Sequence, residues 1–238
     1  MPLPEAYSET IARNGFAVVE NVAPDEVVDA MLPALADVDH DGAVARRGSV
    51  HAVRNLLEAV PEVRALARLE SVRALVEPVL GPGCFVVRAI LFDKTPDANW
   101  KVAWHQDLTI AVRERAEAPG FGPWSEKAGI PHVQPPAAVL ERMLTVRVHL
   151  DDCGRENGPV QVIPGSHAHG RLAADEVARR REGYEPVFCT SARGGALVMR
   201  PLILHASSPA TQPGHRRVVH LEFAADELPH GLEWHGRW

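Results

Sequence analysis

The 238-residue chain is predicted to fold as a mainly β barrel or jelly roll, preceded by a helical segment. Two observations support this fold class. From Cys84 onward, short β-rich runs alternate with Gly, Pro, Asn and Asp clusters, which is typical of antiparallel barrels rather than of βαβ units. Before Cys84, apolar residues recur at helical spacing. The length fits one large domain, and no linker divides the chain, so residues 1–238 are expected to form a single domain.

The first 83 residues are predicted to be a mainly helical flank. Apolar periodicity predicts helices over residues 4–14, from Pro24 onward, and over residues 61–80. Asn14-Gly15 ends the first helix, and Phe16–Glu20 is predicted to be a short buried strand. Residues 39–50 are polar and are predicted to be a loop, while Gly81-Pro82-Gly83 ends the last helix.

Residues 84–225 are predicted to form the β core. Its five clearest strands are Cys84–Phe92, Leu144–Leu150, Val160–Ile163, Ala196–Met199 and Arg217–Phe223. Residues 113–138 are rich in Pro and Gly and interrupt these strands. A loop this long in a compact domain is usually a lid or a binding loop, so a lid-like insertion is expected here.

Composition narrows the classes of function. A net charge of −6 and a pI near 6.1 argue against nucleic-acid binding, and no apolar stretch is long enough for a membrane span. The N-terminus shows no signal-peptide pattern. The three cysteines, Cys84, Cys153 and Cys189, are sparse and odd in number, which indicates buried thiols in a reducing cytoplasm. We therefore expect a cytoplasmic protein that binds neither nucleic acid nor a membrane. Composition leaves its oligomeric state open.

A metal-binding pattern stands at His105-Gln106-Asp107, with His205 about a hundred residues later. Two imidazoles and one carboxylate can cap one face of an octahedral Fe(II) and leave the opposite positions open. On a β-strand the first and third residues of the tripeptide point to the same side. The pattern is short, however, and His149-Leu150-Asp151 repeats it, with His220-Leu221-Glu222 as a near relative. The residues alone leave these alternatives open.

A possible cosubstrate site accompanies His205. An iron site with open positions needs a two-electron donor for oxygen, and a 2-oxo acid is the usual organic donor. Its far carboxylate suits an arginine, because a planar guanidinium can bind a carboxylate through two hydrogen bonds. Arg216, eleven residues after His205, is the candidate, and Ser207 could donate a hydroxyl on the same face.

These stretches resemble the phytanoyl-CoA dioxygenase family of Fe(II)- and 2-oxoglutarate-dependent oxygenases. The matching segments are Asn14–Asn21, Phe92–Pro96, Trp104–Leu108, Arg155–His167, and His205 with Arg216. The resemblance implies a double-stranded β-helix core, also called a cupin-like jelly roll. It also implies His105, Asp107 and His205 as iron ligands and Arg216 as the partner of the 2-oxoglutarate carboxylate. His149-Leu150-Asp151 falls where relatives have a core strand.

Further candidates are assigned by type. The predicted cofactor-binding residues are Arg216, Ser207, Gln106 and Arg147, the last because it gives one predicted strand a polar face. The predicted substrate contacts are Trp124, Thr109, Arg88 and Lys94. His149, His167 and His220 are interpreted as satisfied core or rim residues.

The expected function is an Fe(II)- and 2-oxoglutarate-dependent dioxygenase that hydroxylates a small organic substrate with O2, releasing succinate and CO2. The alternative is a cupin-like metal-binding or regulatory protein without turnover. The absence of a marked basic run favours a small carboxylate or amino-acid derivative over a CoA ester.

Overall fold

The computed structural model describes residues 6–38, 44–47 and 49–238. The helices in this part of the chain are α1 (Tyr7–Asn14), α2 (Asp25–Ala36), α3 (Leu56–Ala59), α4 (Pro61–Arg68), α5 (Glu70–Leu80), α6 (Ala137–Glu141) and α7 (Ala174–Gly183). The strands are β1 (Phe16–Val19), β2 (Val44–Arg47), β3 (Ser49–Val53), β4 (Phe85–Lys94), β5 (Val102–His105), β6 (Ile110–Ala111), β7 (Trp124–Lys127), β8 (Ile130–Val133), β9 (Met143–His149), β10 (Val160–Val162), β11 (Val187–Cys189), β12 (Ala196–Met199), β13 (His205–Ser207) and β14 (Arg216–Ala224).

The strands form three antiparallel sheets. The major sheet has the order β1-β12-β9-β14-β4-β3-β2, and the minor sheet has the order β11-β10-β13-β5. Apolar side chains of the two sheets pack together, for example Val160 and Val162 with Leu197 and Met199. The third sheet has the order β6-β8-β7. This arrangement confirms the predicted mainly β, jelly-roll fold class.

The main hydrophobic core lies between the N-terminal helices and the outer face of the major sheet. Ile11, Met31 and Leu66 from the helices belong to one buried cluster with Val219 and Leu221 of β14. Because side chains alternate along a strand, β14 turns its other set of residues toward the minor sheet. The helices therefore cover one face of the sheet and leave the opposite face for the site.

The inner face of the major sheet is unusually polar. Register places three polar pairs side by side on it: Lys94 of β4 opposite Arg216 of β14, Arg88 of β4 opposite Glu222 of β14, and Arg147 of β9 opposite His220 of β14. Most of these side chains are buried. Buried polar groups are costly unless they have partners, so such a face indicates a site rather than ordinary core packing.

Several predicted elements are present, and others are corrected. The five predicted core strands appear as β4, β9, β10, β12 and β14. The loop predicted at residues 39–50 is wrong in part, because β2 and β3 pair there; residues 39–43 and 48 lie outside the described part. The single helix predicted over residues 61–80 is two helices, because Leu69 has an extended backbone (φ −55°, ψ 136°). Since residues 61–68 and 70–80 both keep helical periodicity, the break is invisible in the apolar pattern.

The insertion at residues 113–138 is not one continuous loop. β7 and β8 form a hairpin within it, and β8 also pairs with β6. Ala128 and Gly129 connect the two strands with positive φ angles of 52° and 75°, which suit a two-residue hairpin turn. The strands are short and lie among prolines, so the sequence pattern concealed them.

The three cysteines, Cys84, Cys153 and Cys189, are all buried and free, which confirms the predicted buried thiols. In the residues that the structure describes, none of the helices has the length and apolar character required to cross a bilayer.

Candidate metal and cosubstrate site

His105, Asp107 and His205 converge at one point. Each offers one ligand atom, and these atoms all lie within 4.8 Å of one another. The Nε2 atom of His105 is 3.6 Å from Asp107 Oδ1, and the Nε2 atom of His205 is 3.6 Å from Asp107 Oδ2. Small divalent metal ions bind imidazole nitrogens and carboxylate oxygens at about 2.1 Å. Adjacent ligand atoms of an octahedral ion are therefore roughly 3 Å apart. The donor set and its spacing therefore fit a small divalent ion such as Fe(II).

Hydrogen bonds orient both imidazoles. The Nδ1 of His105 lies 2.8 Å from the carbonyl oxygen of Ala103, and the Nδ1 of His205 lies 3.0 Å from that of Ile203. An Nδ1–H that donates to a carbonyl leaves Nε2 unprotonated and free to bind a metal. In both residues it is Nε2 that faces Asp107.

The electrostatics of the three groups favour an ionised carboxylate. Burial alone would raise the pKa of Asp107, but the neighbouring His205 and His105 hold that pKa well below its usual range. Burial lowers the pKa of His205 to about 4, so this imidazole is neutral near pH 7. Asp107 Oδ2 is buried without a hydrogen-bond partner among the described residues. A charged, unpartnered oxygen beside a neutral imidazole is what a bound cation would satisfy.

Gln106 positions the loop that carries Asp107. Its side-chain nitrogen donates to the carbonyl oxygens of Gly170 and Leu202, and its side-chain oxygen accepts from the backbone N–H of Leu172. The backbone N–H of Asp107 donates to Pro201. The structure thus places Gln106 away from the cavity, with its amide bonded to backbone groups, and not where a cosubstrate contact was predicted.

The other two candidate motifs are arranged differently. Asp151 binds Arg217 through both carboxylate oxygens, at 2.6 and 2.9 Å. His149 is buried, and burial lowers its pKa to about 3. Glu222 binds Arg88, as described below. Among the described residues, only His105, Asp107 and His205 form a cluster suited to a metal.

A cavity of about 210 Å³ extends from this cluster between the two main sheets. Its lining includes several predicted site residues: His105, Asp107, His205, Ser207, Arg216, Arg147, Arg88 and Thr109. Lys94 and Trp124 are not among the lining residues. Lys94 lies directly behind Ser207, whereas Trp124 packs against a separate apolar cluster.

One end of the cavity is formed by Arg216 and its neighbours. The Arg216 guanidinium donates to the carbonyl oxygen of Gly158 and lies 3.5 Å from Ser207 Oγ. Its Nε is buried without a partner among the described residues. Lys94 donates to Ser207 Oγ at 2.7 Å, and burial together with Arg216 lowers the pKa of Lys94 to about 7. This group of Arg216, Ser207 and Lys94 is suited to a carboxylate.

Arg147 belongs to a chain of polar side chains along the cavity floor. Its guanidinium donates to His220 Nδ1 at 2.8 Å, so the proton of that imidazole resides on Nε2. His220 Nε2 then donates to Glu222 at 3.0 Å. Glu222 also accepts two hydrogen bonds from Arg88, at 2.5 and 2.9 Å. These hydrogen bonds fix the orientation of all four side chains, which are Arg147, His220, Glu222 and Arg88.

Sequence reasoning missed four ionisable residues that line this cavity: His220, Glu222, Arg54 and Lys127. His220, interpreted from the sequence as a satisfied core or rim residue, is buried and also lines the cavity. A usable signal was present, since Arg216, His220 and Glu222 share one face of a strand by two-residue alternation. No local pattern marked Arg54 or Lys127.

Comparisons with known proteins agree with this geometry. The model of the phytanoyl-CoA dioxygenase family matches residues 11–218. An ectoine dioxygenase of Bordetella parapertussis is 26% identical over 168 residues, which cover 67% of this chain and 48% of that protein. The chain therefore spans about half the length of this relative. An L-proline trans-4-hydroxylase of Streptomyces griseoviridis is 25% identical over 245 residues, covering 92% of this chain and 80% of that protein.

A solved structure shows the same fold. The crystal structure of EctD from S. alaskensis with 2-oxoglutarate and 5-hydroxyectoine has a TM-score of 0.71 and 19% identity, covering 94% of this chain and 77% of that one. The family match extends over most of the chain and includes His105, Asp107, His205 and Arg216. On this ground the chain belongs to the phytanoyl-CoA dioxygenase family.

Proposed function

We propose that the chain is an Fe(II)- and 2-oxoglutarate-dependent dioxygenase that hydroxylates a small organic substrate. Substrate C–H, O2 and 2-oxoglutarate would yield substrate C–OH, succinate and CO2. One observation carries the proposal: the His105, Asp107 and His205 cluster opens into the cavity that Arg216 closes at one end. Family membership and the dioxygenase and hydroxylase relatives support it.

The metal would be held by His105, Asp107 and His205. Bound Fe(II), with 2-oxoglutarate and O2, supplies the oxidising power for hydroxylation. The carbonyl oxygens of Ala103 and Ile203 orient the two imidazoles through Nδ1, so that Nε2 of each ring faces Asp107. Because Asp107 remains ionised, it offsets part of the charge of the cation.

The cosubstrate would be held at its far carboxylate by Arg216. The guanidinium is already fixed by Gly158 and lies beside Ser207, so little side-chain freedom is lost when a carboxylate binds. The buried Arg216 Nε is a free donor in the described structure and can complete a two-bond contact. Arg147 lines the same cavity and would contribute positive charge, with His220 holding its orientation.

The substrate would enter the remaining part of the cavity. Ectoine and L-proline, which the names of the relatives give as their substrates, are small and carry a carboxylate. A cavity of about 210 Å³ suits molecules of that size. Residues 113–138, which contain the β7–β8 hairpin, would act as a lid that excludes water during the reaction. We place the protein in the cytoplasm and treat residues 1–238 as one catalytic domain.

The proposal is tested in two steps. Under anaerobic conditions, Fe(II) and 2-oxoglutarate together should give a weak visible charge-transfer band. In air, a panel of small metabolites that begins with ectoine and L-proline should release succinate with at least one member. A protein that shows the band but never releases succinate would be a metal-binding or regulatory protein instead. A protein without the band would not be a 2-oxoglutarate-dependent enzyme.

A further inference from the structure

The cavity has a second cationic end, which the metal and cosubstrate assignments do not use. Arg216 and Glu222 lie six residues apart on β14 and point to the same inner face. A strand rises about 3.3 Å per residue, so the backbone positions of the two ends are roughly 20 Å apart. A 2-oxoglutarate molecule bound at Arg216 is too short to reach the Glu222 end.

Three cations gather at this second end, which we call the distal cluster: Arg54, Arg88 and Lys127. They come from different parts of the fold. Arg54 directly follows β3, Arg88 lies on β4 of the cavity floor, and Lys127 ends β7 of the hairpin. Thr109 connects two of them, since Arg88 donates to its carbonyl oxygen at 3.2 Å and Lys127 donates to its hydroxyl at 2.9 Å.

Among the described residues, the only carboxylate that lines this end of the cavity is already occupied. Both oxygens of Glu222 accept from Arg88, and one of them also accepts from His220. Arg54 makes no hydrogen bond or ion pair to a carboxylate within the described part of the chain, and Lys127 binds only a neutral hydroxyl there. Within the part of the chain that the structure describes, neither Arg54 nor Lys127 therefore has a carboxylate in direct contact with it.

The pKa values of these groups agree with that imbalance. Burial, together with the charge of Arg88, lowers the pKa of Arg54 and brings the pKa of Lys127 to about 8. The negative charge of Glu222 raises the pKa of both Arg54 and Lys127, but both pKa values remain below their usual range. A lowered pKa of this kind indicates partly buried cations without a sufficient counter-charge.

The net charge of the whole cavity also indicates an excess of positive charge. Five cationic side chains line it (Arg54, Arg88, Lys127, Arg147 and Arg216), against the two carboxylates of Asp107 and Glu222. Bound Fe(II) and 2-oxoglutarate would cancel each other's charge. The loaded cavity would thus keep a surplus of three positive charges, which an anionic ligand can reduce.

We propose that the primary substrate carries an oxyanion, either a carboxylate or a phosphate, that binds between Arg54 and Lys127. This inference rests on the proposed dioxygenase function and adds the substrate class and its contacts. Arg88 is held by Glu222 and supports the site through Thr109. Because Thr109 lies two residues after Asp107, an anion bound beside it places the rest of the substrate toward the metal cluster.

The first test measures anion binding without any metal or cosubstrate. Thermal unfolding of the metal-free protein is followed against inorganic phosphate at constant ionic strength, for wild type, Arg54→Gln and Lys127→Gln. Arg68→Gln is the matched control, since Arg68 is exposed at the end of α4. We expect phosphate to stabilise wild type and the control, and each distal variant to bind it at least about tenfold more weakly. Stabilisation that persists in both distal variants but disappears in Arg216→Gln would place the anion at the other end and overturn the proposal.

The second test uses turnover. Succinate release is compared within matched pairs: L-proline with L-prolinamide, ectoine with its amide, and phosphate monoesters with their parent alcohols. We expect succinate release only with the anionic compound of a pair. Which pair supports turnover then shows whether the site prefers a carboxylate or a phosphate. Arg54→Gln should raise the Michaelis constant for that substrate at least about tenfold, while the Michaelis constant for the cosubstrate stays unchanged. Arg54→Lys should restore part of the loss, because it returns the positive charge.

The outcomes separate the two proposals. Loss of the Fe(II)–2-oxoglutarate band would refute the dioxygenase function, whatever phosphate does. Equal succinate release from neutral and anionic members would refute the oxyanion while the dioxygenase function stands. If no compound releases succinate, the phosphate measurement still decides whether the distal cluster binds an anion.

Discussion

His105 on β5 lies directly opposite His205 on β13, and their ring centroids are 4.2 Å apart. The two residues are a hundred positions apart in the chain, yet the antiparallel register of two short strands makes them neighbours. Each ring is fixed by the backbone carbonyl two residues before it. Two of the three proposed metal ligands therefore lie on paired strands, which hold them more rigidly than loops would, whereas Asp107 lies on the loop that follows β5.

Replacing a metal ligand should abolish metal binding. His105→Ala and Asp107→Ala each remove one of the three donors and should lose Fe(II) in an anaerobic titration. His149→Ala is the control, because His149 belongs to the second H-x-D motif and lies outside the cluster. It should keep iron near the wild-type level. Loss of iron in His149→Ala with retention in His105→Ala would show that the wrong motif has been assigned.

Arg216 and Arg217 should differ sharply in their effect on the cosubstrate. Removing a buried charged partner costs about 2–5 kcal/mol, so Arg216→Ala should weaken 2-oxoglutarate binding roughly 30-fold or more. Arg217 faces the other side of β14 and binds Asp151, so Arg217→Ala should leave the affinity nearly unchanged. Titration of the charge-transfer band with 2-oxoglutarate measures both. Equal losses would contradict the assigned face of the strand.

Gly158 should tolerate no side chain. Its φ is +64°, and an added Cβ would collide with the carbonyl oxygen of Ser208. The Gly158 carbonyl also accepts from Arg216 and Ser207, so a shift there would disturb the cosubstrate end. Gly231 has a similar φ of +74° but open space around it.

Gly231→Ala is thus a control that carries only the cost of the left-handed conformation, about 1–2 kcal/mol. Gly158→Ala should lower the free energy of unfolding in urea by more than this, and should weaken 2-oxoglutarate binding as well. If the two variants are equally stable and bind the cosubstrate alike, the steric contact at Gly158 has no consequence.

Lys94 should make the stability of the metal-free protein rise with pH. Its pKa is about 7 in the folded chain because of burial and Arg216, against 10.5 in an exposed lysine. Between these values the unfolded chain binds the extra proton, so the free energy of unfolding increases with pH, by at most about 1.4 kcal/mol per unit. Below about pH 7, Lys94 is protonated in both the folded and the unfolded chain, so it adds nothing to the pH dependence of the free energy of unfolding.

Lys94→Met should remove that part of the increase, and Lys101→Met, at an exposed position, should not. Urea unfolding at pH 7, 8 and 9 gives the slopes. An unchanged slope in Lys94→Met would mean that Lys94 stays protonated inside the folded protein.

The segment 113–138 should respond to ligands. We expect its amide hydrogens outside the β7–β8 hairpin to exchange more slowly once Fe(II), 2-oxoglutarate and a turnover substrate are bound, because a lid must close to exclude water. The β1–β12 pair, which lies in the sheet away from the insertion, serves as the reference. Complete protection of the segment before any ligand is added, unchanged afterwards, would make it a fixed part of the scaffold.

The sequence by itself determined the local features. Strand alternation and turn residues are short-range properties, and they predicted β4, β9, β10, β12 and β14. The sequence showed two H-x-D motifs, and the family resemblance selected the one at His105 and Asp107, with His205 as the third ligand. The structure brings these three residues together. Arg216 was a candidate because it lies eleven residues after His205 and because a guanidinium suits the far carboxylate of a 2-oxo acid.

Only the tertiary structure decided which other ionisable residues line the cavity beside those predicted. Arg54 and Lys127 lie more than seventy residues apart, on segments without a distinctive pattern, and meet at one cavity because of strand register and the placement of the hairpin. Gln106 was misplaced by sequence reasoning for a related reason, since its three partners lie 64 to 96 residues away. A side chain's neighbours depend on how distant strands pack, and a local pattern in one chain carries no record of that packing.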